Sequence, residues 1–279
     1  MESFKIAFFC WESLHSTFKV GGLAPPAATH LAERLALKGH EVHFFTRGEG
    51  NDATVNGVHY HYCLPYGGNV IEYCRTMSNM LVDAFRAHDT PPFDILHFHD
   101  WHVVEALHVL RDRNTVLSFH STEYGRHGGN FGGWWEFQEI SGKEWYGGYI
   151  AKSVTTVSNS TKTEVMWLYN IPPEWKIAVI PNGIDPDAYR TPPVDPGEVK
   201  KHYGIHPLAP VVLFVGRLTY QKGPRPPDAG HTRDPRQTLG RAVPLRRHRR
   251  YARLPGGGWR TVFPCSSSAT SPIRIMSGS

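Results

Sequence analysis

The stretch FKIAFFCWESLHSTFKVGGLAPPAATHLAERLALKGHEVHFFT, residues 4–46, contains a complete strand–helix–strand pattern. Phe4 to Cys10 is a continuous apolar run of strand length, and Glu41 to Thr46 is a second one. Between them, Gly21 to Lys38 carries apolar residues spaced by three and four, which predicts a helix. The stretch therefore predicts one β-α-β unit.

The same alternation continues along the chain to residue 215. Further strands are predicted at Val58–Leu64, Asp94–Phe98, Thr115–Phe119, Ser153–Val157, Ile177–Ile180 and Val211–Val215, and helices at Val70–Ala87, Val103–Arg111, Trp135–Ala151 and Ser160–Tyr169. Such alternation predicts an α/β fold, a mostly parallel sheet with helices on both faces. Ligands bind such sheets at the carboxyl ends of the strands, so we expect function there.

The charge of the chain is divided unevenly. The 279 residues carry a net charge of +5, but residues 224–279 hold eleven Arg, no Lys and two acids, a net of +9. Residues 1–223 therefore carry a net of −4. A basic tail of this kind could bind nucleic acid. We expect no nucleic-acid partner, because shifted GC-rich coding sequence also produces Arg, Pro and Gly.

No sequence feature indicates a membrane or an export route. The apolar runs are much shorter than the ~20 residues of a membrane-spanning helix, and no cationic region with a cleavage site precedes the first strand. Four cysteines form no C-x-x-C pair: Cys10, Cys63, Cys74 and Cys265. We expect a cytoplasmic protein without disulfides.

A lysine and two glycines follow the first predicted strand. Lys19, Gly21 and Gly22 stand before the first helix. Backbone N–H groups at a helix N-terminus favour an anion, and the lysine adds charge, so the sequence predicts a phosphate site. The alternative is a loop that needs glycine only to turn.

The block HFHDWH, residues 97–102, ends another predicted strand. Its spacing does not match the metal pattern H-x-H-x-D-H, so we do not expect zinc here. We predict that His99 and Asp100 line a sugar pocket and that Trp101 packs or stacks beside them. The competing interpretation is that Asp100 only caps the following helix.

Polar residues follow three further strands. His120 and Glu123 come after the strand that ends at Phe119, beside a glycine-rich and aromatic loop at residues 128–135. Asn182 follows the strand near residue 180, where turn chemistry is the alternative explanation. Arg217 and Lys222 follow Val211–Val215, and two cations facing a cleft would stabilise a departing diphosphate.

Taken in order, these motifs resemble the glycogen and starch synthases and neighbouring GT-B retaining glycosyltransferases. The matches cover residues 4–223: K-x-G-G-L at 19–23, the block at 97–102, the strand ending at His120, VTTVS at 154–158, PNGID at 181–185 and G-R-L-x-x-Q-K-G at 216–223.

The resemblance implies two Rossmann-like domains, a nucleotide-diphosphate sugar donor (ADP- or UDP-glucose), an α-glucan acceptor, no metal and retention of configuration. It implies roles for the marked residues as follows: donor phosphate contacts from Lys19, Gly21, Gly22, Arg217 and Lys222; catalytic contacts from His120, Asp100, Arg217 and Lys222; a sugar and acceptor pocket of His99, Asp100, Trp101, His120, Glu123 and Asn182.

The chain departs from the family after residue 223. We assign 1–190 to the N-terminal domain, 191–209 to a linker, 210–223 to the start of a truncated donor domain, and 224–279 to a disordered basic tail. The last 56 residues contain no Glu, so the family's E-x7-E motif is missing. We hypothesise a reading-frame change near Pro224 and expect no glucosyl transfer from this chain. The alternatives are a non-catalytic glucan-binding domain and a transferase acting on another glycoside.

Overall fold

The computed structural model describes residues 2–18, 22, 24–171, 176–187, 190 and 195–211, and the backbone of 212–215, 242–244 and 273–277. The chain divides into two compact units, residues 1–184 and 185–279. Among the described residues, no helix has the length and apolar character needed to cross a membrane.

The first unit contains an eight-stranded sheet in the order β3-β4-β2-β1-β5-β6-β7-β8. Its strands are β1 (Lys5–Cys10), β2 (Glu41–Arg47), β3 (Ala53–Val55), β4 (Val58–Cys63), β5 (Ile95–His99), β6 (Thr115–Phe119), β7 (Ser153–Thr156) and β8 (Ile177–Val179). Every pairing is parallel except that of β3 with β4. The predicted doubly wound α/β sheet is confirmed.

Helices connect the parallel strands. They are α1 (Ala24–Leu37), α2 (Val70–His88), α3 (Val104–Val109), α4 (Glu123–Arg126), α5 (Trp135–Ile150) and α6 (Asn159–Tyr169). Pro25 and Pro26 lie in the first turn of α1, where a missing N–H removes no helical hydrogen bond. Side chains of Asn69 and Ser158 cap α2 and α6, accepting from backbone N–H groups of the first turn.

The strand β1 alternates between two buried faces. Ala7 and Phe9 belong to one core cluster with residues of α2, α3 and α6, whereas Ile6 and Phe8 belong to a second cluster with Ala28 of α1. The ring of Phe9 stacks on Phe98 of the neighbouring strand with centroids 4.5 Å apart. Burial on both faces explains why these strands read as continuous apolar runs rather than alternating ones.

Local structure differs from the sequence prediction in two places. Of the helix predicted over Val103–Arg111, the structure contains the shorter α3, Val104–Val109. A 3-10 turn, Trp101–Val103, directly precedes it. Strand β3 was not predicted, although Asn56 and Gly57 have the positive φ values of a two-residue hairpin turn. Asn-Gly between short apolar segments is the sequence signal for such a hairpin.

The second unit contains a helix and an antiparallel sheet. Helix α7 (Pro196–His202) lies within the segment that we interpreted as a linker, and Asp195 caps it. Strand β9 (Val211–Val215) pairs with β11 (Ile273–Ser277), which pairs with β10 (Ala242–Pro244). The rest of the predicted tail, 224–279, lies outside the described residues, so our domain assignment remains a prediction.

Candidate active site

The polar residues that follow β5 and β6 meet at the carboxyl edge of the sheet. His97 and His99 lie on the same face of β5, and their stacked rings have centroids 4.2 Å apart. His97 Nε2 lies 2.7 Å from the hydroxyl of Ser118 on β6, and that hydroxyl lies 2.5 Å from Thr155 Oγ1 on β7. A polar chain therefore crosses three neighbouring strands beneath the edge.

Asp100 joins the ends of β5 and β6. Its backbone N–H donates to the carbonyl of Ser118 at 2.9 Å, and its Oδ1 accepts from the backbone N–H of His120 at 2.8 Å. The carboxylate makes no capping hydrogen bond to the following 3-10 turn, so the capping interpretation is wrong. Asp100 has φ 59° and ψ −177°, a backbone conformation that residues other than glycine rarely adopt.

His120 follows β6 and contacts His99 directly. His99 Nδ1 and His120 Nε2 lie 2.9 Å apart. The remaining ring nitrogens, His99 Nε2 and His120 Nδ1, are buried and have no hydrogen-bond partner. Burial lowers the pKa of His97 to about 3 and that of His99 well below its usual value, so both rings are neutral at pH 7. One nitrogen of the His99 ring and one of the His120 ring are therefore left without a hydrogen bond in the described part of the chain.

Glu123 belongs to a buried charge network behind His120. Arg126 Nε donates to Glu123 Oε2 at 2.8 Å, and its Nη2 donates to Glu144 of α5. The other carboxylate oxygen of Glu144 accepts from the Glu123 backbone N–H at 2.9 Å and from the Tyr169 hydroxyl. The second carboxylate oxygen of Glu123 lies 2.9 Å from His127 Nε2, so its side chain is held within α4 while its backbone N–H ties α4 to α5.

Burial and charge act in opposite directions within this network. Burial raises the pKa of Glu144 to about 7, against the lowering effects of Arg126 and the hydrogen bonds from Glu123 and Tyr169. Burial alone would lower the pKa of Arg126, but Glu144, Asp100 and Glu123 together raise it. Arg126 is therefore a permanent cation at the carboxyl edge.

Trp101 lies in the interior, with only 4% of its surface exposed. It packs in a cluster with Ile71, Cys74 and Ile140, and stacks on His102 with ring centroids 4.1 Å apart. Trp101 was predicted either to pack or to stack beside a sugar pocket, and the structure shows it packed among these core residues. His102 therefore lies away from His97 and His99, in an aromatic environment.

An exposed aromatic surface lies beside α4. The ring of Phe131 approaches Tyr124 and Trp167 with centroids 4.8 and 6.0 Å apart, and Tyr124 meets Trp167 edge-on at 5.4 Å. Phe131 and Trp167 are both more than 60% exposed. In this surface, Tyr124–Phe131–Trp167, the loop at 128–135 contributes Phe131, and α4 and α6 contribute the other two rings.

The other predicted site residues fall into two groups. Gly22 is exposed just before α1, with open space where a Cβ would stand, and Asn182 is exposed after β8, two strands away from β6 in the sheet. Lys19, Gly21, Arg217 and Lys222 lie outside the described residues.

Sequence reasoning missed three charged residues of this edge. Arg126 and Glu144 carry no motif, since only the packing of α4 on α5 brings them together. Arg47 ends β2, pairs with Glu12, and places its guanidinium 3.7 Å from the centre of the Trp11 ring. A cation at the end of a parallel strand was the available signal for Arg47.

Comparisons with known proteins agree with this fold. The chain is 34% identical over 228 residues to an uncharacterized glycosyltransferase of Methanocaldococcus jannaschii, covering 78% of this chain and 57% of that protein. It is 28% identical over 158 residues to alpha-maltose-1-phosphate synthase of Mycobacterium tuberculosis, covering 53% and 39%. The chain thus spans about half the length of the curated relatives that it matches.

Two solved structures share the fold. The catalytic domain of starch synthase IV from Arabidopsis thaliana, bound to ADP and acarbose, matches with a TM-score of 0.50 and 15% identity, covering 74% of this chain and 60% of that one. Sucrose-phosphate synthase from Thermosynechococcus elongatus matches with a TM-score of 0.55 and 16% identity, covering 74% and 54%. At these identities the likeness concerns the fold alone.

The parallel sheet has the Rossmann-like N-terminal fold of glycosyltransferases of the GT-B type. Residues 27–188, more than half of the chain, match Glycosyltransferase Family 4, and the chain belongs to that family.

Proposed function

We propose that this protein is a retaining glycosyltransferase of the glycogen and starch synthase type. The reaction of this type is transfer of glucose from a nucleotide-diphosphate glucose to an α-glucan, and we expect the chain as it stands to bind sugar without completing the transfer. Family membership supports glycosyl transfer. The relative named alpha-maltose-1-phosphate synthase and the ADP- and acarbose-bound starch synthase support a glucose donor and an α-glucoside acceptor.

One observation carries the proposal, namely the buried Nδ1 of His120 that has no partner in the protein. A buried polar atom without a hydrogen bond costs about 1–3 kcal/mol. A sugar hydroxyl, which can both donate and accept, removes this cost on binding. Asp100 fixes the backbone of His120, so the ring is held in position before the sugar arrives.

The remaining roles follow the resemblance given above. Lys19, Gly21 and Gly22 contact the donor phosphate, and Arg217 and Lys222 stabilise the leaving diphosphate. The bond from the anomeric carbon to the diphosphate breaks through an oxocarbenium-like state, and an acceptor hydroxyl attacks from the same face. His120 and Asp100 contact the transferred glucose, and no metal takes part in this step.

The surface Tyr124–Phe131–Trp167 supports an oligosaccharide acceptor. Glucose rings have apolar faces that pack on aromatic side chains. This surface adjoins α4, whose N-terminal cap Thr122 comes two residues after His120. An α-glucan chain bound on these rings would therefore run beside the carboxyl edge of β6.

The first experiment measures binding of maltoheptaose to the purified full chain by saturation-transfer NMR. We expect binding that falls at least about tenfold in His120→Ala, because the ring that meets the sugar is removed. His108→Ala is the matched control, since His108 lies on the surface of α3 and hydrogen-bonds to the Tyr146 hydroxyl of α5. Thermal unfolding of both variants separates lost binding from lost folding.

The second experiment offers labelled ADP-glucose and UDP-glucose to the same protein with glycogen. Our expectation of no transfer by this chain stays a prediction. Binding without transfer supports the glucan-binding alternative for the chain as it stands, whereas α-linked product supports the transferase directly. No binding of maltoheptaose and no transfer would overturn the proposal, and transfer to a different glycoside only would overturn its acceptor.

A further inference from the structure

Three histidines from separate elements meet towards the amino edge of the sheet. His43 is on β2, His61 is on β4 and His88 is the last residue of α2. One ligand nitrogen from each lies within 4.8 Å of the other two. Lys5, the first residue of β1, donates to the carbonyl of His88 at 2.8 Å, which places this histidine trio at the opposite edge from the candidate active site.

Each of the two buried rings has a carboxylate on its outer nitrogen. Asp52 Oδ2 lies 2.6 Å from His61 Nδ1, and Glu41 Oε1 lies 3.0 Å from His43 Nε2. A carboxylate can only accept, so both outer nitrogens must donate. A carboxylate on the outer nitrogen is the usual way in which proteins orient a metal-binding histidine.

The inner nitrogens then face each other without a hydrogen between them. His43 Nδ1 and His61 Nε2 are 2.9 Å apart, and both carry lone pairs when the outer nitrogens hold the protons. A cation between the rings would convert this repulsion into coordination.

We propose that His43, His61 and His88 form a zinc site. Neutral imidazole is a preferred ligand of Zn²⁺, with Zn–N distances of roughly 2.0–2.1 Å in tetrahedral geometry. That geometry separates two ligand nitrogens by roughly 3.3 Å, so His43 and His61 need to move apart by only a few tenths of an ångström. His88 sits at the C-terminus of α2, where the helix dipole favours a cation.

Charges around the trio are compatible with a divalent ion. Asp52 and Glu41 supply two carboxylates, while the ammonium of Lys5 lies 3.5 Å from Glu41 and is neutralised by it. Asp52 is about half exposed, and its Oδ2 lies 4.0 Å from His88 Nε2, so a carboxylate stands beside the third histidine as well. The site ties β2, β4 and α2 together, which assigns it a structural role.

The test uses the full chain, produced without a polyhistidine tag and freed of metal with a chelator. Titration with Zn²⁺ by calorimetry is expected to show one ion per chain and a raised melting temperature. Co²⁺ is expected to give the intense visible absorption of a tetrahedral nitrogen site.

Variants of the trio separate this site from the other histidines of the chain. His61→Ala and His88→Ala are expected to weaken Zn²⁺ binding by at least about tenfold. His108→Ala is the matched control, because His108 is a histidine of α3 whose ring contacts Tyr146 of α5. His88 is partly exposed, so its variant is informative even where His61→Ala fails to fold.

Two results would overturn the proposal. One is a wild-type chain that binds no Zn²⁺ at micromolar concentrations. The other is binding that His88→Ala leaves unchanged or that His108→Ala weakens equally. Neither outcome depends on sugar binding, so the zinc site and the proposed transferase function can fail separately.

Discussion

The two histidine clusters of the sheet are held by different kinds of partner. At the carboxyl edge, His99 and His120 contact each other and leave two buried nitrogens unpartnered, with Arg126 as the nearby buried cation. Towards the amino edge, His43 and His61 also contact each other, but a carboxylate holds each outer nitrogen.

This difference indicates which ligand each edge can bind. Unpartnered nitrogens beside a fixed backbone suit a ligand with hydroxyl groups, which both donate and accept. Lone pairs turned inward by outer carboxylates suit a metal ion, which only accepts them. In the two proposed sites the same residue type has different ligands, and the second partner of each ring is what distinguishes them.

The largest effect, a loss of unfolding free energy at the carboxyl edge, is expected for Arg126→Ala. It leaves Glu123 and Glu144 without their shared cation, and a buried carboxylate that has lost its partner costs about 3–5 kcal/mol of unfolding free energy. Urea denaturation measures the loss. The control is Arg86→Ala, which breaks an exposed pair with Asp83 and should cost less than about 0.5 kcal/mol. Equal costs in the two variants would contradict the buried network.

Acidification is expected to destabilise the carboxyl edge. The lowered pKa values of His97, His99 and His102 keep these rings neutral in the fold, whereas the unfolded chain protonates them below about pH 6.5. Their stabilisation is complete above that pH and is lost as the pH falls. Glu144 acts in the opposite direction, because its raised pKa of about 7 makes it bind its proton in the fold.

Burial also lowers the pKa values of His43 and His61, so five histidines oppose Glu144 and the protein is expected to lose stability between pH 7 and pH 5. Urea denaturation at a series of pH values measures it. Glu144→Gln removes the opposing contribution and should steepen the loss. A protein more stable at pH 5 than at pH 7 would refute the assignment of neutral buried rings.

A smaller effect separates strain from hydrogen bonding at Asp100. Asp100→Ala and Asp100→Gly both remove the carboxylate that holds His120, but only glycine accepts φ 59° with ψ −177° without strain. The glycine variant should therefore be more stable than the alanine variant by about 1–2 kcal/mol. Thermal unfolding of the pair measures the difference, and equal stability would show that the backbone there is relaxed.

The smallest effect is expected at the amino edge. Asp52→Asn keeps an oxygen that can accept from His61 Nδ1, and Asp52 is more than half exposed, so the metal-free protein should lose less than about 1 kcal/mol. Urea denaturation measures this loss of unfolding free energy, which is to be compared with the loss in Arg126→Ala. A loss as large as that of Arg126→Ala would mean that the two edges are held in the same way.

The sequence predicted the parallel sheet and the positions of its strand ends, because apolar runs and glycine-bounded helices are local signals. Strand β6 was predicted with its observed bounds, Thr115–Phe119. The sequence also predicted that Asp100 and His120 lie close together, because both follow parallel strands that end at the same edge of the sheet. The capping alternative for Asp100 could not be excluded from sequence, because a cap and a cross-strand bond use the same carboxylate.

Other features could not be predicted because they join distant segments. Arg126 meets Glu144 across 18 residues through the packing of α4 on α5. His43, His61 and His88 belong to three elements that share no motif. Trp101 looked like a possible stacking surface, but its position inside a core cluster depends on α2 and α5.

By itself, the sequence determined a family 4 glycosyltransferase fold and the edge of the sheet where its polar residues gather. Only the tertiary structure decided which ring nitrogens are satisfied and which remain available. The physical reason is that backbone periodicity depends on neighbours a few residues apart, whereas hydrogen-bond partners and burial depend on which elements pack together.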